Sequence, residues 1–351
     1  MATTFKALTD KDRANTRTLL HEAVPITGTI LTGTYTSNGN IKNYSHGMFQ
    51  SVYDYPYLSS SANHIFDITA GYSSKSAYSA SANSQNAKKI NIYNEMAQVL
   101  VGFDHTGSIR EFDQDGDLSV GSKIQEGLFI NFARLLTKDE IKKASFTMSL
   151  ATGGTCTAPD FGNLKTISDY GASTKYKVNS PAGEYGFLYT GSEALAGTGV
   201  GLIYYQAGVV LITGSVFYPR TAPFACFGDS GAVYDTRTFD AVLTGSQISA
   251  SAEGFRNRVY NIAFDNTTEL NSTIYFCRAH HNDFNYSSNP TYLTGSKVIV
   301  KGDQRKNPPV SYVTGVGLYS DNNELLAVAK LSEPLKKSPD SELTLRVRLD
   351  Y

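Results

Sequence analysis

The chain has 351 residues, with 31 basic against 32 acidic side chains, a formal net charge of −1, 41% hydrophobic and 18% charged residues. At about 150 residues per domain this is one large domain or two modest ones, long enough to bury a core. The balance excludes a wholly disordered chain, which pairs low hydrophobicity with a large net charge, and a generic nucleic-acid binder, which needs a dense excess of Lys and Arg.

The aromatic inventory is 23 Tyr, 18 Phe and no Trp. Tyr joins an apolar body to a polar tip, so this composition favours strands and contact surfaces. Residues 1–20 carry Lys6, Asp10, Lys11, Asp12, Arg13 and Arg17 with no apolar run behind them, so no secretory signal is expected. No window approaches the roughly 18 uninterrupted apolar residues of a spanning helix, and no membrane span is expected. Cys156, Cys226 and Cys277 are odd in number and far apart, which suits reduced, packed thiols in a reducing compartment.

In chain order, residues 9–20 predict a short helix capped by Thr9 or Asp10 and stopped before Pro25. Residues 30–36 and 41–44 flank Ser37-Asn38-Gly39-Asn40, a hairpin signal because Asn and Gly tolerate positive φ. The stretch 73–86, SSKSAYSASANSQN, has Tyr78 as its one large apolar side chain; it is a flexible loop or an arm that orders against a partner. The spacing of Ile90, Tyr93, Met96, Ala97, Leu100 and Val101 predicts a helix over 87–101, with Gly102 as its stop. Thr137 with Glu140 three positions on predicts a second helix over 138–144. A third is expected over 249–258, interrupted by Gly254.

From Ser145 onward the period becomes two. Strands are expected over 146–150, 200–205 and 209–213, then a hairpin of 312–319 and 324–331 about the turn 320–323. In the terminal strand 343–351, Leu343, Leu345, Val347 and Leu349 face one side. A patterned last residue predicts a C-terminus tied into a sheet. The tripeptide TGS, first at Thr106, recurs without a fixed period and reads as turns.

Candidate chemistry is sparse. Residues 228–231, GDSG, match the nucleophile signature of chymotrypsin-like proteases, with Ser230 as the nucleophile. Upstream, His64 and His105 are the histidines that could serve as base, but neither sits in that family's setting, and Ala232 replaces a usual Gly. A turn is the expected reading. Cys277, His280 and His281 lie close together, yet no second cluster completes a zinc site. Asp113, Asp115 and Asp117 resemble half a calcium loop, but Leu118 and Ile124 stand where an EF-hand has Gly and Glu, and a hairpin turn is expected. The Asn-x-Ser/Thr sites at Asn43, Asn266, Asn271 and Asn285 mean little without a signal peptide. No catalytic, cofactor-binding or metal-binding residue is therefore assigned, and neither enzymatic activity nor a cofactor is expected.

Five stretches carry a resemblance: 59–69 (SSSANHIFDIT), 85–94 (QNAKKINIYN), 130–142 (INFARLLTKDEIK), 179–186 (NSPAGEYG) and 271–277 (NSTIYFC). Together they resemble a family of virion structural proteins of T4-like contractile-tailed phages of marine bacteria, cyanophages above all. The likeness runs over most of the chain and is weakest at 152–177 and 217–240. The ending, 309–319 (PVSYVTGVGLY), 323–330 (NELLAVAK) and the final strand, is similar to domains by which phage tail-fibre and baseplate proteins attach to the tail. The resemblance implies a virion subunit of the tail or baseplate, made and assembled in the host cytoplasm, with other virion proteins and copies of itself as partners. A head, neck or capsid-surface component is the alternative, and a GDSG serine hydrolase the rival of another class. No active-site residue carries over from the family.

The expected fold is α+β and sheet-dominated: mostly antiparallel β with a few helices, long loops and a C-terminal hairpin plus strand. Residues 1–145 would form an α+β region holding the helix 87–101 and the segment 73–86. Residues 146–351 would form a mainly antiparallel β region ending in the terminal strand.

Overall fold

Alternating side chains dominate, and strands follow: in a computed structural model 47% of the described residues are strand and 17% helix, with one large antiparallel sheet and five α-helices among them. The structure describes residues 5–27, 39–118, 121–154, 159–190, 199–217, 238–285, 293–294, 297–298, 306 and 310–351. The chain divides into two compact units, one of Leu20–Thr268 and one of Met1–Leu19 with Glu269–Tyr351. No boundary between them falls at 145/146, because strands far apart in sequence pair with one another.

The principal strands are β1 (Arg13–Thr27), β2 (Ile41–Asn43), β3 (Gln50–Tyr53), β4 (His64–Tyr72), β5 (Glu126–Phe132), β6 (Glu140–Ile141), β7 (Thr147–Ala151), β8 (Leu164–Ser168) and β9 (Gly183–Thr190). They continue with β10 (Gly201–Tyr204), β11 (Val209–Ile212), β12 (Val259–Ala279), β13 (Ser311–Tyr319), β14 (Leu325–Lys337) and β15 (Leu343–Asp350). The helices are α1 (Asn86–Leu100), α2 (Arg134–Thr137), α3 (Ala172–Lys175), α4 (Phe239–Gly245) and α5 (Ile248–Arg258).

In the unit 20–268 the first part of β12 starts the order β12-β7-β8-β9-β10-β11-β5-β4-β3-β2. The register sets Ile68 opposite Ile130 and Ile130 opposite Val210, so successive residues of each strand face opposite sides. On one side Phe66, Ile68, Ile130, Val210 and Ile203 join Val242, Leu243 and Phe255 of α4 and α5. On the other, Phe129, Leu211, Leu202 and Tyr204 pack with Ile92, Tyr93, Ala97 and Leu100 of α1. Alternation within β4, β5 and β11 thus serves two apolar layers at once. Gly71 lets α1 approach: a Cβ there would lie 2.7 Å from the Lys89 carbonyl oxygen and 3.0 Å from the Tyr93 nitrogen.

Helix α1 realises the predicted stripe within one residue at each end, and Gly102 at φ +84° donates its N–H to the Ala97 carbonyl at 3.0 Å. Helix α5 runs through Gly254, which is buried within it. The β10/β11 hairpin, β7, the β13/β14 hairpin and β15 also form where alternation places them. Of the hairpin expected over 30–44, residues 28–38 lie outside the described residues, and Ile41–Asn43 pairs with Gln50–Tyr53.

Two predicted helices are corrected. Residues 9–20 hold a 3-10 turn, Asp10–Asp12, followed by β1. An isolated helix of a dozen residues is marginal in water, whereas alignment beside β12 satisfies the backbone. Pro25 is tolerated because β1 is an edge strand. Residues 138–144 are not helical either: the helical turn α2 precedes them, Lys138 takes φ +53°, and Glu140–Ile141 pairs with Asn266–Thr267. The local cap signal at Thr137 yields to a partner far along the chain. Asn266 donates its side-chain amide to the Leu136 carbonyl at 2.9 Å and so closes the end of α2.

The polar segment 73–86 folds into turns on its own unit. Tyr78 donates its hydroxyl to Asp240 at 2.9 Å, the Ser84 N–H donates to the Thr244 carbonyl at 3.0 Å, and Gln85 accepts from the Ile248 N–H at 2.9 Å, capping α5. Ser73 and Ser76 are buried.

Main chain binds several of the buried charged groups. The Lys89 ammonium donates to the carbonyls of Ser84, Leu243 and Ser246 at 2.7–2.8 Å. Arg258 donates to the carbonyls of Ala151, Gly153 and Gly154 at 3.1–3.3 Å. Asp169 accepts from the N–H groups of Ala144 and Phe146 and the hydroxyl of Tyr205, at 2.7, 3.1 and 3.0 Å. Burial outweighs those three donors and pushes its carboxyl up to about 6. Tyr72, Tyr93, Tyr185, Tyr204 and Tyr205 all lie in the core. These five are interior packing, and Tyr93 donates its hydroxyl to the Ile124 carbonyl at 2.5 Å, whereas Tyr55, Tyr57, Tyr170, Tyr260, Tyr312, Tyr319 and Tyr351 are exposed.

The other unit is thinner. Its second half of β12 pairs with β15 from Ser272–Asp350 to Ala279–Leu343, so the C-terminal strand is tied into sheet. Leu343, Leu345, Val347 and Leu349 alternate as expected and are half-buried. β13 and β14 form a separate two-stranded sheet.

Candidate functional site

The β13/β14 hairpin presents the most exposed apolar surface of its unit. Val316–Ala329 and Leu318–Ala327 pair on one face, and Gly315–Lys330 and Gly317–Val328 on the other. The two glycines leave that second face concave, a groove walled by Tyr319, Leu325 and Val328. A Cβ at Gly317 would lie 3.0 Å from the Tyr319 ring and 3.4 Å from Leu325, so the bare backbone is what opens the groove. Leu326 and Tyr312 project at 67% and 62% exposure. Asn323 at φ +62° makes the turn, where the Ser320 N–H donates to the Glu324 carbonyl at 2.9 Å.

The base of the hairpin is anchored. Buried Lys337 donates to Asn285 at 2.7 Å, to the Ser338 carbonyl at 2.9 Å and to the His281 carbonyl at 3.3 Å; at the other end, beside the turn, the Phe5 and Tyr319 rings meet at 4.7 Å. The hairpin is a ribbon held at its base, with apolar side chains exposed along it.

In the unit 20–268 a cleft of about 240 Å³ lies at the margin of α1, lined by Met48, Phe49, Asp67, Thr69, Glu95 and Met96 among others. The register lines up Lys42, Ser51, Asp67 and Asn131 across four strands, a polar row on the side that α1 covers. Ser51 donates to Oδ1 of Asp67 at 2.5 Å, and Nε2 of His64 lies 2.8 Å from the same oxygen. A hydrolytic triad needs the imidazole between hydroxyl and carboxylate to take the hydroxyl proton. Here the carboxylate stands between them, so the group fixes side chains without activating Ser51. Asp67 carried no signal in the sequence, because only the register brings these three together.

The residues singled out in the sequence disperse. Cys156 and residues 218–237, which include Cys226 and the GDSG serine Ser230, lie outside the described residues. His64 is engaged as above. His105 is exposed in a turn whose Asp104 accepts from the N–H groups of Thr106 and Ser108 at 2.8 and 3.0 Å. Bonds from Thr106 and Ser108 hold the Asp104 carboxyl below the ordinary range.

Cys277 sits half-buried on β12 opposite Leu345, with its thiol pushed up by burial, and His280 and His281 both lie within 3.8 Å of Glu342 in the loop beyond. Asp113, Asp115 and Asp117 bring carboxylate oxygens within 4.8 Å of one another, in the expected hairpin turn between Phe112–Asp113 and Lys123–Ile124. Lys123 pairs with buried Asp113 and supplies the positive charge there. Burial alone would raise the Asp113 carboxyl, but the bonds from Lys123 and Asp115 outweigh it and hold it below the ordinary range. Among the described residues no helix is long and apolar enough to cross a membrane.

Comparison of the chain with protein-family models, with curated proteins and with solved structures returned no match.

Proposed function

We propose that this chain is a structural subunit of a contractile-tailed bacteriophage virion, in the tail or baseplate, that works through protein–protein contacts. The observation that carries this reading is the β13/β14 hairpin, where Tyr312, Leu325, Leu326 and Val328 are each more than half exposed on an anchored ribbon. Soluble monomers rarely keep such a surface bare. The hairpin falls within the ending that is similar to tail-attachment domains, and the five stretches from residue 59 to 277 support membership of the virion. A sheet-rich chain of near-zero net charge also suits a lattice partner, because copies and neighbours meet without repulsion.

A reconstruction of the intact particle tests this. Density for the chain at the tail or baseplate is expected. Density confined to the capsid shell would overturn the tail assignment, and absence from the particle would overturn the subunit reading altogether. Labelling of Ser230 by a fluorophosphonate, abolished in Ser230→Ala, would replace it with a hydrolase.

A further inference from the structure

The unit formed by residues 5–19 and 269–351 is patterned for a core that it does not close. Both buried apolar clusters of the protein consist entirely of residues between Ile26 and Phe264. In the smaller unit Leu318 is the one apolar residue buried among the described residues, and the other buried positions are Ser272, Thr273 and Lys337. Twelve of the 23 large apolar side chains exposed among the described residues belong to this unit, which holds less than a third of the chain.

We infer that a second copy of this chain covers the exposed face of the β13/β14 hairpin, so that the smaller unit completes its core between copies. This rests on the reading of the chain as an assembly subunit and names the partner of one of its surfaces. Three observations favour a copy. Six of the twelve side chains, Tyr312, Tyr319, Leu325, Leu326, Val328 and Leu335, belong to the hairpin and, about half exposed on average, present on the order of 500 Å² of apolar surface, the larger part of the about 800 Å² per partner in a standard stable interface.

The hairpin is a sheet of two strands only, so each strand pairs on one side and leaves its other edge open among the described residues. Such a ribbon is marginal alone, and an antiparallel edge is self-complementary about a two-fold axis. The hairpin also carries both signs of charge, Lys330 and Lys336 with Glu324 and Glu333, so like copies meet without net repulsion.

Sedimentation velocity of the purified full chain over the micromolar range tests the inference. A dimer or higher oligomer is expected, with Val328→Glu and Leu326→Glu each weakening it by about tenfold or more while far-ultraviolet circular dichroism stays unchanged. Leu58→Glu, at an 87% exposed site of the other unit, should leave it intact. A wild-type chain that is monomeric throughout, or an oligomer indifferent to both hairpin substitutions, would overturn the self-pairing. A monomer in solution that still appears in the particle, or a hairpin seated there on a different protein, overturns the self-pairing alone. An oligomer absent from the particle overturns the virion reading alone.

Discussion

Lys89→Met removes a buried cation of the larger unit that three main-chain carbonyls hold. Its ammonium, on the first turn of α1, donates to the carbonyls of Ser84, Leu243 and Ser246. Leu243 lies in the last turn of α4, whose carbonyls have no partner within the helix. Each bond from a charged donor contributes about 1.5–3 kcal/mol, so the three sum to roughly 5–9 kcal/mol before the cost of burying the ammonium, itself several kcal/mol. Methionine fills the same volume and escapes that cost, but strands three buried acceptors. The net loss is about 3 kcal/mol, within the 3–5 kcal/mol range for breaking a buried charged contact.

Urea unfolding followed by near-ultraviolet dichroism reads the larger unit, where the buried tyrosines lie. The matching control is Lys88→Met, one residue earlier and exposed, which should change stability by less than about 0.5 kcal/mol. Equal effects of the two substitutions would refute the reasoning, because exposed Lys88 donates to the His46 carbonyl at 2.7 Å in reach of water, whereas Lys89 is buried among three carbonyls.

Three further outcomes are expected. Asp169 is raised to about 6 when folded and lies near 3.9 when unfolded, so its contribution is fully present below about pH 4 and is lost as pH rises through 6, about 3 kcal/mol in all. Denaturation of wild type and Asp169→Asn across that window should show wild type losing its relative advantage by about that amount; a constant difference would contradict it. Gly71→Ala drives a methyl into backbone atoms of α1 and should cost about 1–3 kcal/mol, read as a lower melting temperature. Tyr78→Phe removes the hydroxyl that ties 73–86 to Asp240. It should speed limited proteolysis within that segment at a stability cost of about 1 kcal/mol, and an unchanged cleavage rate would argue against the anchor.

Legibility in the sequence followed locality. Helix α1 announced itself because its stripe and its Gly102 stop lie within one short window, and the β13/β14 hairpin because its turn and both strands are contiguous. β1 misled because a dozen residues with a good cap favour a helix until a distant strand offers more hydrogen bonds. Residues 138–144 misled in the same way, with Asn266 and Thr267 as the hidden partners. The Ser51–Asp67–His64 contact and the carbonyl cage of Lys89 left no motif, since each joins residues that only sheet register or helix packing brings together.

By itself the sequence determined that this is a sheet-dominated α+β protein with one long amphipathic helix and a C-terminus paired into a sheet. Those features depend on periodicity and turn chemistry, which are properties of neighbours along the chain. The tertiary structure alone decided that residues 5–19 join 269–351, that the core tyrosines belong to the other unit, and that the terminal strands stay half-covered. Those outcomes depend on which distant surfaces meet and bury one another, and the free energy of burial belongs to the pair of surfaces and not to either segment.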